Sequence, residues 1–206
     1  MEIRIDRLDA SPFTYDDLIP LLHLSFEEHF DKGLQFTCSS MTKEQFMDKT
    51  KDGVVLVAWD PASDALLGTM TVEVKKDKQG LVYGYLEYLA ISPSAKRLGI
   101  GSRLVQKCYD IIDEAKGSYV LSDTAVGAKS SVRWHLKNGL KIIGLESYRT
   151  TNYYSYLFRR QIATPSKWNN DLYVRCHYYL SYLKCKLLKK EDGSKTAVGN
   201  LLAKVL

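Results

Sequence analysis

The chain predicts a mixed α/β fold: a central, mostly antiparallel sheet flanked by helices, with an extra helical segment at its C-terminal end. Three observations carry that prediction. Residues 2–53 read as a strand and two helices, and residues 54–92 as three strands in succession. A strand-like run then passes through a turn containing Gly99 and Gly101 into an amphipathic helix, the signature of a parallel crossover. Residues 119–160 close the pattern with a strand, a short helix and two further strands.

Each element has its own local reason. Glu2 to Leu8 alternates polar and apolar residues, as a half-buried strand does. Asp16 to Phe30 places Leu18, Leu21, Leu22, Phe26 and Phe30 at helical spacing, and Thr42 with Gln45 three residues later forms a capping box for a second helix that ends near Gly53. Val54 to Trp59 and Leu66 to Val74 are strands joined by the turn Asp60 to Asp64. Lys75 to Gly80 turns the chain into a third strand, Val82 to Ser92. Beyond the glycines, Leu104, Val105, Cys108, Ile111 and Ile112 recur at three and four, giving a helix that closes around Gly117. Tyr119 to Ser122 is a strand, Ser130 to Lys137 a short helix stopped by Asn138 and Gly139, and Leu140 to Glu146 and Asn152 to Arg160 are strands.

Composition limits what the chain does. Its 206 residues, 45% of them hydrophobic, suffice for one domain with a core and an appendage. No apolar run approaches the roughly 18 residues that span a bilayer, and the N-terminus alternates charge with apolar residues, so a cytoplasmic protein is expected. The four cysteines, Cys38, Cys108, Cys176 and Cys185, lack metal or disulfide spacing and are expected to be free, mostly buried thiols. His23 and His29 do not share a helix face, and no metal site is expected. The net charge of +5 is uneven: residues 1–50 hold ten acids against five Lys or Arg, and residues 165–206 three acids against eight.

The glycine turn is the chemically informative stretch, GYLEYLAISPSAKRLGIGS from Gly84 to Ser102. Two glycines let backbone approach a ligand, and a helix opening there points unpaired N–H groups and its positive dipole end outward. With Lys96 and Arg97 alongside, this is a cradle for a phosphate-bearing ligand. A nucleotide P-loop would need Gly-Lys-Ser/Thr after four intervening residues. A dinucleotide fingerprint would need a third glycine where Leu104 stands.

The stretch resembles the coenzyme A-binding motif of the GNAT superfamily of N-acetyltransferases, [Q/R]-x-x-G-x-[G/A], with Lys96, Gly99 and Gly101 in the defined places and Lys96 replacing the usual Gln or Arg. The order of elements over about residues 2–162 resembles the family's acyl-CoA N-acyltransferase fold as well. The resemblance implies acetyl-CoA as co-substrate, held by the amides of Lys96, Arg97, Leu98, Gly99, Ile100, Gly101 and Ser102. It implies a bulge in the preceding strand, with backbone contacts to the pantetheine arm from Leu89, Ala90 and Ile91.

Acetyl transfer to an amine needs a held thioester, an oxyanion donor, a neutral amine and a proton for the departing thiolate. Glu87 is the expected base or substrate contact: the family often carries a glutamate on this strand, and burial would make it more basic. Alternation places it with Tyr85, Leu89 and Ile91; the competing reading is a solvated or ion-paired Glu87. The family's acid is a tyrosine in a pattern like A-x-x-[FL]-Y-x-K-x-G-F. The run Ser131 to Leu140, registered by Lys137, Gly139 and Leu140, puts His135 there, either as the acid or as a packing residue. Tyr153 or Tyr154 is the alternative acid. Ala128 takes the position of the family's pantetheine-binding asparagine, with Ser130 as a substitute.

Glu27, Glu28 and Asp31 beside Phe26, Phe30 and Phe36 would suit a cationic acceptor if they formed a cleft wall, but a solvated outer helix face is the plainer expectation. The expected activity is N-acetylation of a small-molecule amine by direct attack. The alternatives are a peptide or protein amine, or a module that binds coenzyme A without catalysis. No nucleic acid and no membrane span are expected, and a homodimer is compatible.

The chain is divided into an acetyltransferase domain, residues 1–164, and a basic amphipathic extension, residues 165–206. In the extension Leu172, Cys176, Tyr179, Leu180, Leu183 and Leu187 share one helix face. Asn169 or Asn170 is the cap, Arg175, Lys184, Lys186, Lys189 and Lys190 crowd the remainder, and a second apolar piece runs from Val198 to Leu206. Two roles compete: lying on an anionic membrane, nucleic acid or partner, and packing the apolar face on the parent domain or across a dimer. Packing is the expectation.

Overall fold

Local signals fix most element boundaries in the computed structural model, which describes residues 2–163 and 166–199. The chain divides into two compact units, one of Met1–Lys32 with Phe36–Val120 and one of Gly33–Gln35 with Leu121–Leu206.

In the first unit, strand β1 (Arg4–Arg7) is followed by helix α1 (Tyr15–Phe30), helix α2 (Lys43–Thr50) and strands β2 (Val54–Asp60), β3 (Ala65–Lys76) and β4 (Val82–Ile91). Both helices open on reciprocal caps: Thr14 N–H donates to Asp17 (2.7 Å), and Thr42 N–H donates to the Gln45 side chain (3.0 Å) while Gln45 N–H donates back to Thr42 Oγ1 (3.3 Å). Strands β1 to β4 pair antiparallel in chain order. One sheet face is covered by α1 and α2, where Leu18, Leu22 and Phe46 meet Val55, Val57 and Ala90 in a buried cluster. The other face takes helix α3 (Ile100–Glu114), whose Ile100, Leu104, Cys108 and Ile112 are buried at the spacing the sequence shows. Gly84 on β4 lies directly under Ile112, so the helix sits close to the strand.

The second unit completes strand β5 (Tyr119–Ala125), which the sequence predicts to stop at Ser122, and adds helix α4 (Lys129–Lys137), strands β6 (Lys141–Ser147) and β7 (Tyr154–Gln161) and helix α5 (Asp171–Leu188). Its strands are ordered β5-β7-β6, which leaves β6 at the edge, antiparallel to β7. Among the described residues, seven strands and five α-helices thus build the predicted mixed, mostly antiparallel architecture. The Asn170 side chain caps α5 by accepting from Leu172 N–H (2.9 Å) and Tyr173 N–H (3.1 Å).

The extension packs, but with the opposite face from the one expected. His177 Nδ1 donates to the Ile143 carbonyl (2.7 Å), and Ser181 Oγ bonds both Leu145 N–H (3.0 Å) and Leu145 C=O (3.2 Å), with Val174 and Cys185 buried beside them. An edge strand presents unpaired backbone groups, so the helix face that covers β6 is the one carrying polar side chains able to meet them. Close approach is required as well: a Cβ at Gly144 would stand 2.6 Å from Ser181 Oγ. The leucine face is left outside. Of the expected second apolar piece, Val198 to Leu206, the part from residue 200 on lies outside the described residues.

Cys38, Cys108 and Cys185 are buried free thiols and Cys176 is exposed. No helix of the described residues is long and apolar enough to cross a membrane.

Gly84→Ala is expected to destabilise the protein by about 1–3 kcal/mol in urea unfolding, because the added methyl collides with Ile112 Cδ1 and stands 2.5 Å from Cγ1. Unchanged stability would show that α3 is not seated tightly on β4.

Candidate functional site

The strand before the glycine turn is bulged. Thr69 on β3 lies opposite Ala90 and Thr71 opposite Glu87, so Met70 alone faces both Tyr88 and Leu89. Tyr88 takes a left-handed φ of 54°, uncommon for an aromatic residue, and its ring packs edge-on against Phe46 at 5.3 Å. The extra residue resets the side-chain alternation. Glu87 shares its sheet face with Tyr85 and Ala90, the face covered by α1 and α2, and not with Leu89 and Ile91 as strict alternation predicts. Ile91 faces the opposite way, toward Gly68 and Ile100.

The chain then leaves β4 through a short 3₁₀ turn at Pro93–Ala95 and enters α3 over two left-handed residues, Arg97 (φ 69°) and Gly99 (φ 76°). Gly99 is the N-cap and supplies no side chain to the first N–H groups of the helix. Lys96, Arg97, Leu98 and Gly99 are exposed, Gly101 and Ser102 half-buried, and only Ile100 is buried, as an anchor. Nothing lies within 4 Å of the position a Cβ would take on Gly99. The turn is therefore open to solvent, with backbone amides and a positive dipole end facing out, which fits a phosphate group.

Two contacts from α1 hold this end of the site. Ser25 Oγ donates to the Ile91 carbonyl (3.0 Å), fixing the end of β4. Lys96 Nζ pairs with Glu28 (2.7 Å), and this hydrogen bond lowers the Glu28 pKa below its ordinary value. Glu28 thus neutralises the one lysine of the motif, and neither residue's partner is readable in a sequence where they stand far apart. His29 is buried against Phe26 and Phe36, with ring centroids at 6.0 and 5.0 Å and no hydrogen-bond partner for Nδ1; burial lowers its pKa. Phe30 is 61% exposed and Glu27 and Asp31 are exposed, so of the aromatic wall only Phe26 and Phe36 are packed inward.

Glu87 and the run from Leu89 to Ser102 all belong to the first unit; Ser130, His135 and Tyr154 belong to the second. Ser130 is exposed in the first turn of α4. His135 is only 4% exposed and stacks on Phe158 at 4.3 Å. Its Nδ1–H donates to the Ser131 carbonyl (2.8 Å), which leaves Nε2 to accept from Ser122 Oγ (3.0 Å). Burial pushes its pKa down to about 4, so the ring is neutral at physiological pH with both nitrogens engaged. That is the setting of a residue fastening α4 to β5 and β7. Tyr154 donates its hydroxyl to the Lys189 carbonyl at the end of α5 (3.0 Å), and Lys186 Nζ stands 3.8 Å from its ring centroid. Among the described residues no three His, Cys, Asp or Glu gather as metal ligands.

Residues 15–140 match the sequence profile described as the acetyltransferase (GNAT) family. The chain is similar in structure to PaiA N-acetyltransferase from Thermoplasma acidophilum in complex with coenzyme A (TM-score 0.62, 16% identity, covering 79% of this chain and 100% of that one). It is similar also to an aminoglycoside 6'-N-acetyltransferase complexed with coenzyme A (TM-score 0.57, 17% identity, 79% and 99%). A third similar chain comes from the NatC complex bound to Gag peptide and CoA (TM-score 0.61, 14% identity, 79% and 100%). No curated protein matches. At these identities the likeness is one of fold, and it is the fold predicted from the order of elements.

The buried His135 makes stability pH-dependent. Its folded pKa lies below its unfolded value of about 6.5, so the unfolded chain binds the proton first and stability falls as pH drops from about 6.5 toward 4. Between pH 7 and 4.5 the wild type is expected to lose about 2 kcal/mol more unfolding free energy than His135→Gln. Equal losses in the two proteins would show that the ring is not buried in its neutral form.

Proposed function

This chain belongs to the GNAT acetyltransferase family, and we propose that it moves the acetyl group of acetyl-CoA to the amine of a small molecule by direct attack, without a covalent enzyme intermediate. The observation that supports this most strongly is the pairing of a bulge at Tyr88 with an open left-handed turn at Arg97 and Gly99, one strand end apart. In this reading the amides from Lys96 to Ser102 hold the pyrophosphate at the start of α3, and the main chain of Leu89 and Ala90, past the bulge, lies along the pantetheine arm. The Ile91 carbonyl already accepts from Ser25, so Ile91 acts mainly as the fixed end of that track.

Acetyl-CoA supplies the activated acyl group; the protein supplies position and proton traffic. The amine nitrogen bonds to the carbonyl carbon, the carbon–sulfur bond breaks, and the nitrogen's proton has to leave. We assign that proton to Glu87, which is half-buried and faces α1 and α2. The departing thiolate takes its proton from water: His135 is neutral and doubly hydrogen-bonded, and the Tyr154 hydroxyl is engaged by Lys189, so neither supports the acid role.

Gly99→Ala is expected to weaken coenzyme A binding roughly tenfold in calorimetric titration, because a side chain at a left-handed φ both strains the turn and occupies the space a phosphate needs. Glu87→Gln is expected to lower kcat on the order of 100-fold while leaving the coenzyme A dissociation constant unchanged. The deciding assay is thiol release from acetyl-CoA with a panel of polyamines, amino sugars and peptide N-termini. Turnover with peptides alone would replace the small-molecule reading, and coenzyme A binding with no turnover on any amine would replace the enzyme by a binding module.

A further inference from the structure

The outward face of α5 is an apolar stripe. Leu172, Tyr179, Leu180, Leu183 and Leu187 are 71, 63, 68, 54 and 56% exposed, and at their spacing they form one continuous row along the helix. Scattered exposed leucines need no explanation, whereas a row of this kind does. Exposed Arg175 and Lys186 border it on one side and exposed Lys184 on the other. The helix carries a single acid, Asp171, which is paired with Lys141.

We propose that this face rests on an anionic phospholipid surface, as a peripheral contact that does not cross the bilayer. An interfacial helix needs an apolar row to enter the boundary between headgroups and acyl chains, with cations at its flanks to meet the phosphates, and α5 presents both. A second copy of the chain fits less well. Antiparallel two-fold pairing about the middle of the row brings the same flank of each helix together and would set Arg175 against the partner's Lys186, cation to cation, with no acid on the helix to offset them. A lipid surface, unlike a second protein, demands no shape complementarity from the row. The inference is independent of the acetyl-transfer reading, because it uses only residues of α5.

The test is flotation of the full chain with vesicles of equal parts phosphatidylglycerol and phosphatidylcholine at low salt. The protein is expected to float with them and to bind pure phosphatidylcholine vesicles roughly tenfold less. The double variant Leu180→Glu with Leu183→Glu is expected to lose binding by roughly tenfold or more, with an unchanged thermal midpoint and unchanged coenzyme A affinity, since both side chains lie outside the packed face. Lys184→Glu is expected to weaken binding several-fold and to reduce its salt dependence. Three results overturn the proposal: no flotation with the anionic vesicles, equal binding to both vesicle types, or equal binding by the double variant. A dimer in sedimentation that the double variant abolishes, without vesicle binding by the wild type, assigns the face to a second copy and also overturns it.

Discussion

One additional residue in β4 governs the geometry of the candidate site. With Tyr88 and Leu89 together facing Met70, the strand turns, and the side chains on either side of the bulge are rephased. Glu87 and Ala90 consequently share the face under α1 and α2, while Ile91 reaches the α3 side. A regular strand would have kept Glu87 in line with Leu89 and Ile91 and placed Ala90 on the other face. The left-handed φ of Tyr88 is tolerated because its ring is packed against Phe46, so burial in the α2 contact compensates a backbone state that an aromatic residue otherwise avoids.

The turn that follows depends on the same strand end. Ser25 fixes the Ile91 carbonyl and Ile100 is buried, so the segment between them is held at both ends while its middle stays exposed. That combination allows Arg97 and Gly99 to take left-handed conformations without closing over the amides of α3. The ion pair of Lys96 with Glu28 adds a charge balance: Lys96 is matched by an acid from α1, whereas Arg97 forms no ion pair among the described residues. An anionic ligand approaching Lys96 therefore competes with a carboxylate that a motif reading leaves out.

The second unit illustrates how a helix chooses its buried face. Hydrophobicity favours the leucine row of α5, but the surface it covers is the edge of a sheet, where backbone N–H and C=O groups set the terms. His177 and Ser181 satisfy groups of Ile143 and Leu145, and Gly144 lets the helix come close enough for them to do so. Leaving such groups unpaired costs on the order of 1–3 kcal/mol each, comparable to burying a leucine, and the hydrogen-bonding face also keeps Val174 and Cys185 buried. The outward leucines follow from that competition.

The sequence by itself determined the order of elements, the cap at Thr42, the amphipathic α3 and the helix start at Gly99, and narrowed the α5 cap to Asn169 or Asn170, because each is a property of a few neighbouring residues. It also carried the motif that pointed to coenzyme A. Only the tertiary structure decided the face on which Glu87 lies, the pairing of Lys96 with Glu28, the burial and neutrality of His135, and the outward turn of the α5 leucines. Each of those depends on which distant chain segments meet: a bulge is defined by the opposing strand, a pKa by the groups that exclude water, and a helix's inner face by the hydrogen-bonding needs of the surface beneath it.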